Sequence, residues 1–383
     1  LKKVIFFSHS PVLGGAEISL LEVMERIDRR RFYPVLLTTG QGPLSDQARQ
    51  LGIEILAVPL SPDLIKWKRD SAVGLGTVRA AAWSAGRLAA HLHSVKPALL
   101  YTHSQKAHVL GGLAGRLAGV PVVWHAREIT SRPFLRKTMS ALARFLPSRI
   151  VCVSKAVGRQ FENDRHKLTV VPNGIDADRV RRRAAASTKQ DFRRRMGVPF
   201  QAPLLGMVSR IAPGKGQHLF IKTAGRILET IPEARFLIIG GPLFGETAYL
   251  EDLRRQVEQS GLGGSLAFTG QLDNALPAMA ALDVLIHCPV VPEGFGRAVA
   301  EAMALGVPVA SVRSGAIPEL IEDGREGLLS APGDVAGLAE AAVRLLTEPG
   351  LAERITEAAK KKIERCCRIE TSTAAIERLL EPL

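Results

Sequence analysis

Cysteine is scarce in this chain of 383 residues: Cys152, Cys288, Cys366 and Cys367 are the whole supply. No two of them have the spacing of a metal site, and adjacent cysteines are poorly placed to bond each other. A disulfide framework is not expected, and a reduced, cytoplasmic setting is the simplest reading. Aromatic residues make up only 5%, and no nucleic-acid-binding motif appears, so a nucleic-acid partner is not expected. No apolar run reaches the roughly 20 residues of a membrane-spanning helix. The opening run 4–7 follows Lys2 and Lys3 but gives way at once to Ser8-His9-Ser10, so it reads as a first strand and not as a signal-peptide core. The Gly-x-Gly-x-x-Gly dinucleotide fingerprint and the Lys-Ser/Thr of a P-loop are both missing, which argues against an oxidoreductase.

Acidic residues are also in short supply, but only on one side of the chain. Residues 1–175 hold 25 Lys and Arg against 11 Asp and Glu, whereas 176–383 hold 26 of each. The entire net charge of +14 therefore sits in the first half. An excess of that kind can attract nucleic acid, anionic lipid or an anionic substrate, or serve only as solubility charge. The segment 132–146 adds a basic amphipathic pattern, with Leu135, Met139, Leu142 and Leu146 on one helical face. It fits either a membrane-surface helix or a helix packed on a sheet. Lys66-Trp67-Lys68-Arg69 is a second candidate surface patch.

What is present is a regular alternation of short apolar strands and helical patterns, the signature of parallel sheets built from βαβ units. Strands are expected at 3–8, 33–38, 53–57, 97–101, 121–125, 149–153 and 168–171, then at 204–209, 235–240, 265–269, 283–287, 307–311 and 326–329. Helices are expected near 16–27, 74–94, 105–118 and 134–146, then near 216–230, 247–260, 296–305 and 334–346. A length of 383 residues suits two domains. The Arg- and Ala-rich segment 179–203 breaks the alternation and sets the boundary at about 178–188. The domains are accordingly 1–178 and 188–362, with 363–383 read as one or two terminal helices.

Three strand ends carry candidate chemistry. The first strand runs into Gly14-Gly15-Ala16-Glu17 and a helix, where glycine amides and a helix N-terminus suit a phosphate or a sugar. Strand 204–209 leads into Arg210 and then Pro213-Gly214-Lys215-Gly216. Two cations at a strand's carboxyl end suit a diphosphate leaving group. Strand 283–287 leads into Pro292-Glu293-Gly294-Phe295-Gly296-Arg297 and a helix bearing Glu301. The two carboxylates are spaced to accept hydrogen bonds from hydroxyls, one set on a ribose and one on a hexose. The 294–297 amides open a helix N-terminus where a diphosphate can sit. Asp176-Ala177-Asp178 mimics a metal-binding Asp-x-Asp but lacks its context. His103 and His108 have no third ligand in register, so no metal is expected. His103 ends a strand and is a candidate acceptor contact.

The run 292–304 resembles the Glu-x7-Glu motif of retaining glycosyltransferases of family four. The resemblance continues through Ser314-Gly315-Ala316-Ile317-Pro318-Glu319 and Asp323-Gly324-Arg325-Glu326-Gly327. Upstream it takes in Gly14-Gly15-Ala16-Glu17, Val153-Ser154-Lys155 and Val171-Pro172-Asn173-Gly174-Ile175-Asp176, so it spans almost the whole chain. It implies the GT-B fold, α/β with two Rossmann-like domains facing each other across a cleft, the first holding the acceptor and the second a nucleotide-sugar donor. The C-terminal helix is then expected to cross back to the first domain. Arg210 and Lys215 would neutralise the leaving diphosphate, Glu293 would bind donor-sugar hydroxyls and Glu301 the ribose. Gly14 and Gly15 would close on donor or acceptor, and Glu17 falls in the same matching stretch as an acceptor-side candidate. His125 matches a position near the transferred sugar.

No cofactor is expected beyond the nucleotide sugar, and the acceptor would be a glycan or a lipid-linked saccharide, met in the cytoplasm or at the inner membrane face. Two departures stand out: Cys288-Pro289 where the family often has Pro-Ser, and Ala316 in place of a second glycine. A nucleotide-sugar epimerase and a non-catalytic nucleotide-sugar-binding scaffold are the alternatives. The first needs acid and base residues in its cleft, and the intact Arg210, Lys215, Glu293 and Glu301 argue against the second.

Overall fold

A computed structural model of the chain describes residues 1–66 and 74–383. Trp67, Lys68 and Arg69 of the candidate surface patch lie outside the described residues. The chain divides into two compact units, Leu1–Gly174 with Ile369–Leu383, and Ile175–Arg368.

The first unit runs β1 (Lys2–Phe7), α1 (Gly15–Arg26), β2 (Phe32–Thr38), α2 (Pro43–Gln50), β3 (Glu54–Ala57), α3 (Pro62–Lys66), α4 (Leu75–Val95), β4 (Leu99–Thr102), α5 (Gln105–Ala118), β5 (Val122–Ala126), α6 (Pro133–Ala143), β6 (Arg149–Cys152), α7 (Lys155–Gly158) and β7 (Leu168–Val170). The second runs α8 (Ala177–Ala184), α9 (Lys189–Arg195), β8 (Leu204–Val208), α10 (Gln217–Leu228), β9 (Arg235–Ile239), α11 (Thr247–Gln259), β10 (Leu266–Gly270), α12 (Leu276–Ala280), β11 (Val284–His287), α13 (Arg297–Leu305), β12 (Val309–Val312), α14 (Ile317–Leu320), β13 (Leu328–Ser330), α15 (Val335–Thr347) and α16 (Leu351–Cys366). The last helix, α17 (Ile369–Leu380), belongs to the first unit.

Every strand pair is parallel. The first sheet is ordered β3-β2-β1-β4-β5-β6-β7 and the second β10-β9-β8-β11-β12-β13. Both are Rossmann-like, doubly wound sheets. All thirteen expected strands are present, because strands covered on both faces read as continuous apolar runs. In β1, Val4, Ile5, Phe6 and Phe7 are all buried, and β9 does the same with Phe236, Leu237, Ile238 and Ile239. In each sheet the winding reverses once, between β1 and β4 and between β8 and β11. At such reversals the connections leave toward opposite faces and open a crevice at the carboxyl ends of the strands, where ligands of this architecture bind.

Three expectations about organisation differ from what is observed. The division falls at Gly174/Ile175, a few residues before the expected boundary. The segment 179–203, expected to mark the boundary, folds as α8 and α9, capped by Asp176 and Thr188, within the second unit. The expected terminal stretch 363–383 is split, since α16 ends at Cys366 in the second unit and α17 alone joins the first. In α6 the leucine face turns inward, with Met139 and Ala143 buried, and Phe134 and Phe145 point out. No helix of the described residues is long and apolar enough to cross a membrane.

Candidate functional site

In the second unit the reversal point gathers the expected cations and carboxylates. Arg210 and Lys215 follow β8, and Glu293 follows β11, its immediate neighbour in the sheet. The two loops touch through backbone. A Cβ on Gly216 would stand 1.9 Å from the Cys288 carbonyl oxygen, and its φ of +84° is a left-handed one. Val290 and Val291 both donate to the Gly214 carbonyl at 3.1 Å. Glycine is thus required at 216 to let Lys215 approach Glu293. Behind Glu293, Gly315 has φ +59° and leaves no room for a Cβ, which would fall 2.2 Å from the Glu293 carbonyl oxygen. Ala316 donates its N–H to that same oxygen at 2.8 Å, and its φ of −87° is one that alanine adopts without strain.

Each cation of this edge meets a carboxylate. Lys215 Nζ donates to Glu293 Oε1 at 2.6 Å, Arg210 to Glu246 Oε1 at 2.6 Å, and Arg297 Nε to Glu301 Oε1 at 2.7 Å. Burial pushes the Glu293 carboxyl up, but Lys215, then His287 and Arg210, bring it below its ordinary value, so it is ionised. His287 ends β11 with Nε2 at 3.9 Å from Glu293 Oε1. Burial holds its pKa down to about 4 against the pull of Glu293, so it is neutral near pH 7. Cys288 is buried with its thiol pushed up to about 12, and its Sγ donates to the Gly216 carbonyl. The thiol at this departure from the family pattern therefore serves the backbone junction. Gln217 ties the start of α10 to Ser209 Oγ and to the Arg210 carbonyl at 3.0 and 2.8 Å. Gly294, Phe295 and Gly296 form the turn into α13, with Gly296 as its N-cap and Phe295 buried.

Glu246 and His287 are the residues that reading the sequence missed. Glu246 lies beyond β9, with Oε2 accepting the Phe244 N–H at 2.8 Å while the Phe244 ring stacks on the Arg210 guanidinium at 5.3 Å. Nothing local singles out this glutamate, since its partner is 36 residues away. His287 did carry a signal: like His103 and His125 it stands at the carboxyl end of a buried strand.

In the first unit the edge is furnished differently. Glu17 closes back on its own helix start, accepting the Gly14 N–H at 3.0 Å, and its other oxygen lies 3.4 Å from His103 Nε2. Burial pushes Glu17 up, and His103 with the nearby amides brings it below the usual carboxylate value. His103 Nδ1 donates to the Phe7 carbonyl at 3.1 Å. The Gly14 amide is therefore already engaged, and Gly15 begins α1. His125 Nδ1 receives hydrogen bonds from Tyr101 Oη at 2.6 Å and Arg127 at 3.1 Å. That assignment leaves the proton on Nε2, a buried donor without a partner among the described residues. Burial first, and then the charge of Arg127, hold His125 well below its ordinary pKa, so the ring is neutral. His108 is occupied elsewhere, hydrogen-bonded to Thr102 Oγ1 at 2.7 Å and stacked on Trp124. No group of three potential metal ligands occurs among the described residues. Asp176 is the N-cap of α8 and Asp178 pairs with Arg181, which accounts for the Asp-x-Asp spacing.

Comparison with known proteins agrees with this geometry. Residues 13–179 match the family described as Glycosyltransferase Family 4, and residues 188–362 match Glycosyl transferases group 1. The chain is 31% identical over 291 residues to 2-deoxystreptamine glucosyltransferase of Streptomyces kanamyceticus, covering 70% of each chain. It is 26% identical to the UDP-Gal:alpha-D-GlcNAc-diphosphoundecaprenol alpha-1,3-galactosyltransferase of Escherichia coli, covering 90% of this chain and 87% of that one. The crystal structure of Anabaena HepE in complex with UDP and glucose superposes with a TM-score of 0.85 at 26% identity, covering all of both chains. The chain belongs to the glycosyltransferases of family 4 and is a sugar-transferring enzyme.

Proposed function

We propose that the second unit binds a nucleoside-diphosphate hexose at the reversal point of its sheet and releases the nucleoside diphosphate with retention of configuration at the sugar. The observation that carries this is the joining of Arg210, Lys215 and the N-terminus of α13 around the ionised Glu293. On donor binding the diphosphate takes Lys215 from Glu293 and meets the other side of the Arg210 fork, whose Nη1 stays on Glu246. Arg210 grips phosphate oxygens through its fork and Lys215 acts as a point charge. As the C1–O bond breaks, negative charge grows on the leaving phosphate, and these fixed donors stabilise it without reorganising. Glu293, released from Lys215, accepts hydrogen bonds from hydroxyls of the hexose, and Glu301 accepts from the ribose.

No side chain of this edge is set up as a covalent nucleophile. The leaving phosphate therefore takes the proton of the acceptor hydroxyl as that hydroxyl attacks the same face of C1. In the first unit, Gly15 at the start of α1 and the Nε2–H of His125 offer donors to substrate oxygens, while His103 and Glu17 form the acceptor side. The leaving charge is met by side chains and a helix terminus, so turnover does not need a divalent metal or other cofactor. The relatives support a nucleotide-sugar donor: one structure contains UDP and glucose, and another relative is named for a UDP-galactose donor and a lipid diphosphate acceptor. The acceptor is accordingly a glycan or a lipid-linked saccharide, reached at the anionic cytoplasmic face of a membrane.

The test is ligand-induced thermal stabilisation across nucleoside diphosphates and their sugars, followed by NMR of the product anomer, with and without EDTA. A ligand that binds only the native state must raise its stability. Lack of stabilisation by any of them, an inverted product, or activity abolished by EDTA and restored by manganese would overturn the corresponding part of the reading.

A further inference from the structure

The positive charge of the first unit is concentrated in one stretch. Residues 1–66 hold eight Lys and Arg against seven Asp and Glu, whereas 71–161 hold thirteen against one, Glu128. That stretch supplies α4, α5 and α6, and none of the three helices contains a carboxylate. They form one layer. Strands β4, β5 and β6 are successive parallel neighbours, so right-handed crossovers leave α5 and α6 on the same face of the sheet. Helix α4 packs along α5, and Leu146, just past α6, closes on Gly112 of α5.

The outer surface of this layer exposes Arg79 and Arg87 on α4, Arg116 on α5, Arg136 and Lys137 on α6, and Arg144 behind it. Apolar side chains stand among them: Leu75, Val78, Trp83, Leu117, Phe134 and Phe145, with Leu75 85% and Phe134 77% exposed. Those six are half of the twelve large hydrophobic side chains exposed among the described residues, so the layer gathers exposed apolar surface as well as charge. Arg87 stacks over Trp83 at 5.2 Å, pairing the two kinds of group directly. A helix layer facing only water ordinarily mixes acids with bases and buries its large apolar groups.

We propose that the α4–α6 layer docks the first unit on an anionic phospholipid surface, its Arg and Lys on lipid phosphates and its Trp, Phe, Leu and Val side chains among the headgroups. Charge complementarity fixes the sign of the occupant. The scatter of apolar groups over three helices suits a laterally continuous, deformable surface better than the discrete anchors of a protein partner. Helix α6 follows β5, so its exposed N-terminus lies at the carboxyl edge of the sheet, where His103, His125 and Glu17 also stand. A saccharide emerging from the bilayer on a lipid diphosphate would meet that edge. The proposal deepens, and in that respect rests on, the reading of a membrane-borne acceptor.

The test is co-sedimentation of the full chain with phosphatidylcholine vesicles, with and without phosphatidylglycerol. Binding should require phosphatidylglycerol and should weaken as salt shortens the screening length to about 8 Å. The triple change R136E/K137E/R144E should lower vesicle partitioning by about tenfold or more, and F134S/F145S should weaken it independently of charge. R254E/R255E on α11 of the second unit should leave it unchanged. Stabilisation by nucleotide, read without vesicles, should be the same in all of these variants, which separates this proposal from the donor reading: binding to vesicles without binding to nucleotide would sustain the first and overturn the second. Equal binding to neutral and anionic vesicles, binding to neither, charge reversals without effect, or preferential capture by soluble polyglutamate would overturn the membrane surface, the last in favour of an acidic protein.

Discussion

The two sheets of this enzyme are wound alike, each reversing once beside its first strand, yet their carboxyl edges carry opposite kinds of chemistry. The second unit is furnished with ion pairs: Lys215–Glu293, Arg210–Glu246 and Arg297–Glu301. The first is furnished with buried rings, His103, His108 and His125, of which His108 and His125 are held neutral by burial. An ion pair can be exchanged for a dianionic ligand at modest cost, because the cation gains a new partner as it loses the old one. A neutral ring donor cannot attract a diphosphate but can orient a hydroxyl without a desolvation penalty. One winding thus carries two different sets of side chains at its strand ends, as expected if function is grafted on a fold and not dictated by it.

The sharpest way to break this contrast is to remove a cation of the second unit. Arg210→Ala or Lys215→Ala should lower kcat by about a hundredfold or more, the loss expected when a contact to transition-state charge is deleted. Lys215→Ala should also strand Glu293, whose carboxyl would then rise toward its burial-favoured, protonated form. Steady-state kinetics that remained near normal in both variants would remove these residues from the reaction. In the first unit, His125→Phe should cost about thirtyfold in kcat/KM, and His125→Gln, which keeps an N–H donor, should recover part of it. Equal losses in the two variants would reduce His125 to a packing role.

A smaller effect is expected for Glu246, which touches Arg210 and not the reacting atoms in this reading. Glu246→Ala should lower kcat/KM by about tenfold, because Arg210 loses the contact that holds it at the end of β8. An unchanged value would make Glu246 a surface counter-charge. The mildest prediction concerns stability. His108, His125 and His287 stay neutral in the folded state while their unfolded counterparts take up protons below about pH 6.5. The unfolded chain then binds more protons, so stability falls as pH drops toward the folded pKa values, about 4 for His287. The slope approaches about 1.4 kcal/mol per pH unit for each such histidine as its unfolded form becomes fully protonated, and is about half that at pH 6.5. Urea unfolding of His287→Gln between pH 6.5 and 5.5 should have a shallower slope than the parent, and an identical slope would mean that His287 titrates normally.

The strands were legible because burial on both faces leaves unbroken apolar runs, and their ends pointed to Arg210, Lys215, Glu293 and Glu301. The arginine triplets were opaque. Arg193 is buried, donating to the carbonyls of Ala281, Phe200 and Ala202 and pairing with Asp283, while its neighbour Arg194 is exposed. A run of three identical residues gives no hint that one is core and another solvated, so the segment read only as a break between the domains. Glu246 was hidden for a different reason, since contacts between loops that follow separate strands leave no periodic trace. In α6 the leucine period correctly gave a helix, but the face it marked was the one packed inward.

The position of α17 has a consequence for the order of events during synthesis. The core on one face of the first sheet includes Leu20, Met24 and Phe32, and it is completed by Ile376 and Leu380 of α17. Glu377 accepts the Asp28 N–H at 2.7 Å, and Ser372 donates to the Pro172 carbonyl at 2.8 Å. The first unit is therefore discontinuous in the chain, whereas the second is a single uninterrupted stretch. As the ribosome releases the chain, Ile175–Arg368 can close its core with every residue in hand. The first unit, although translated earlier, waits with Leu20 and Met24 uncovered until residues 369–383 emerge. The domain made first finishes folding last, and its interval of exposure is set by the time needed to translate the other.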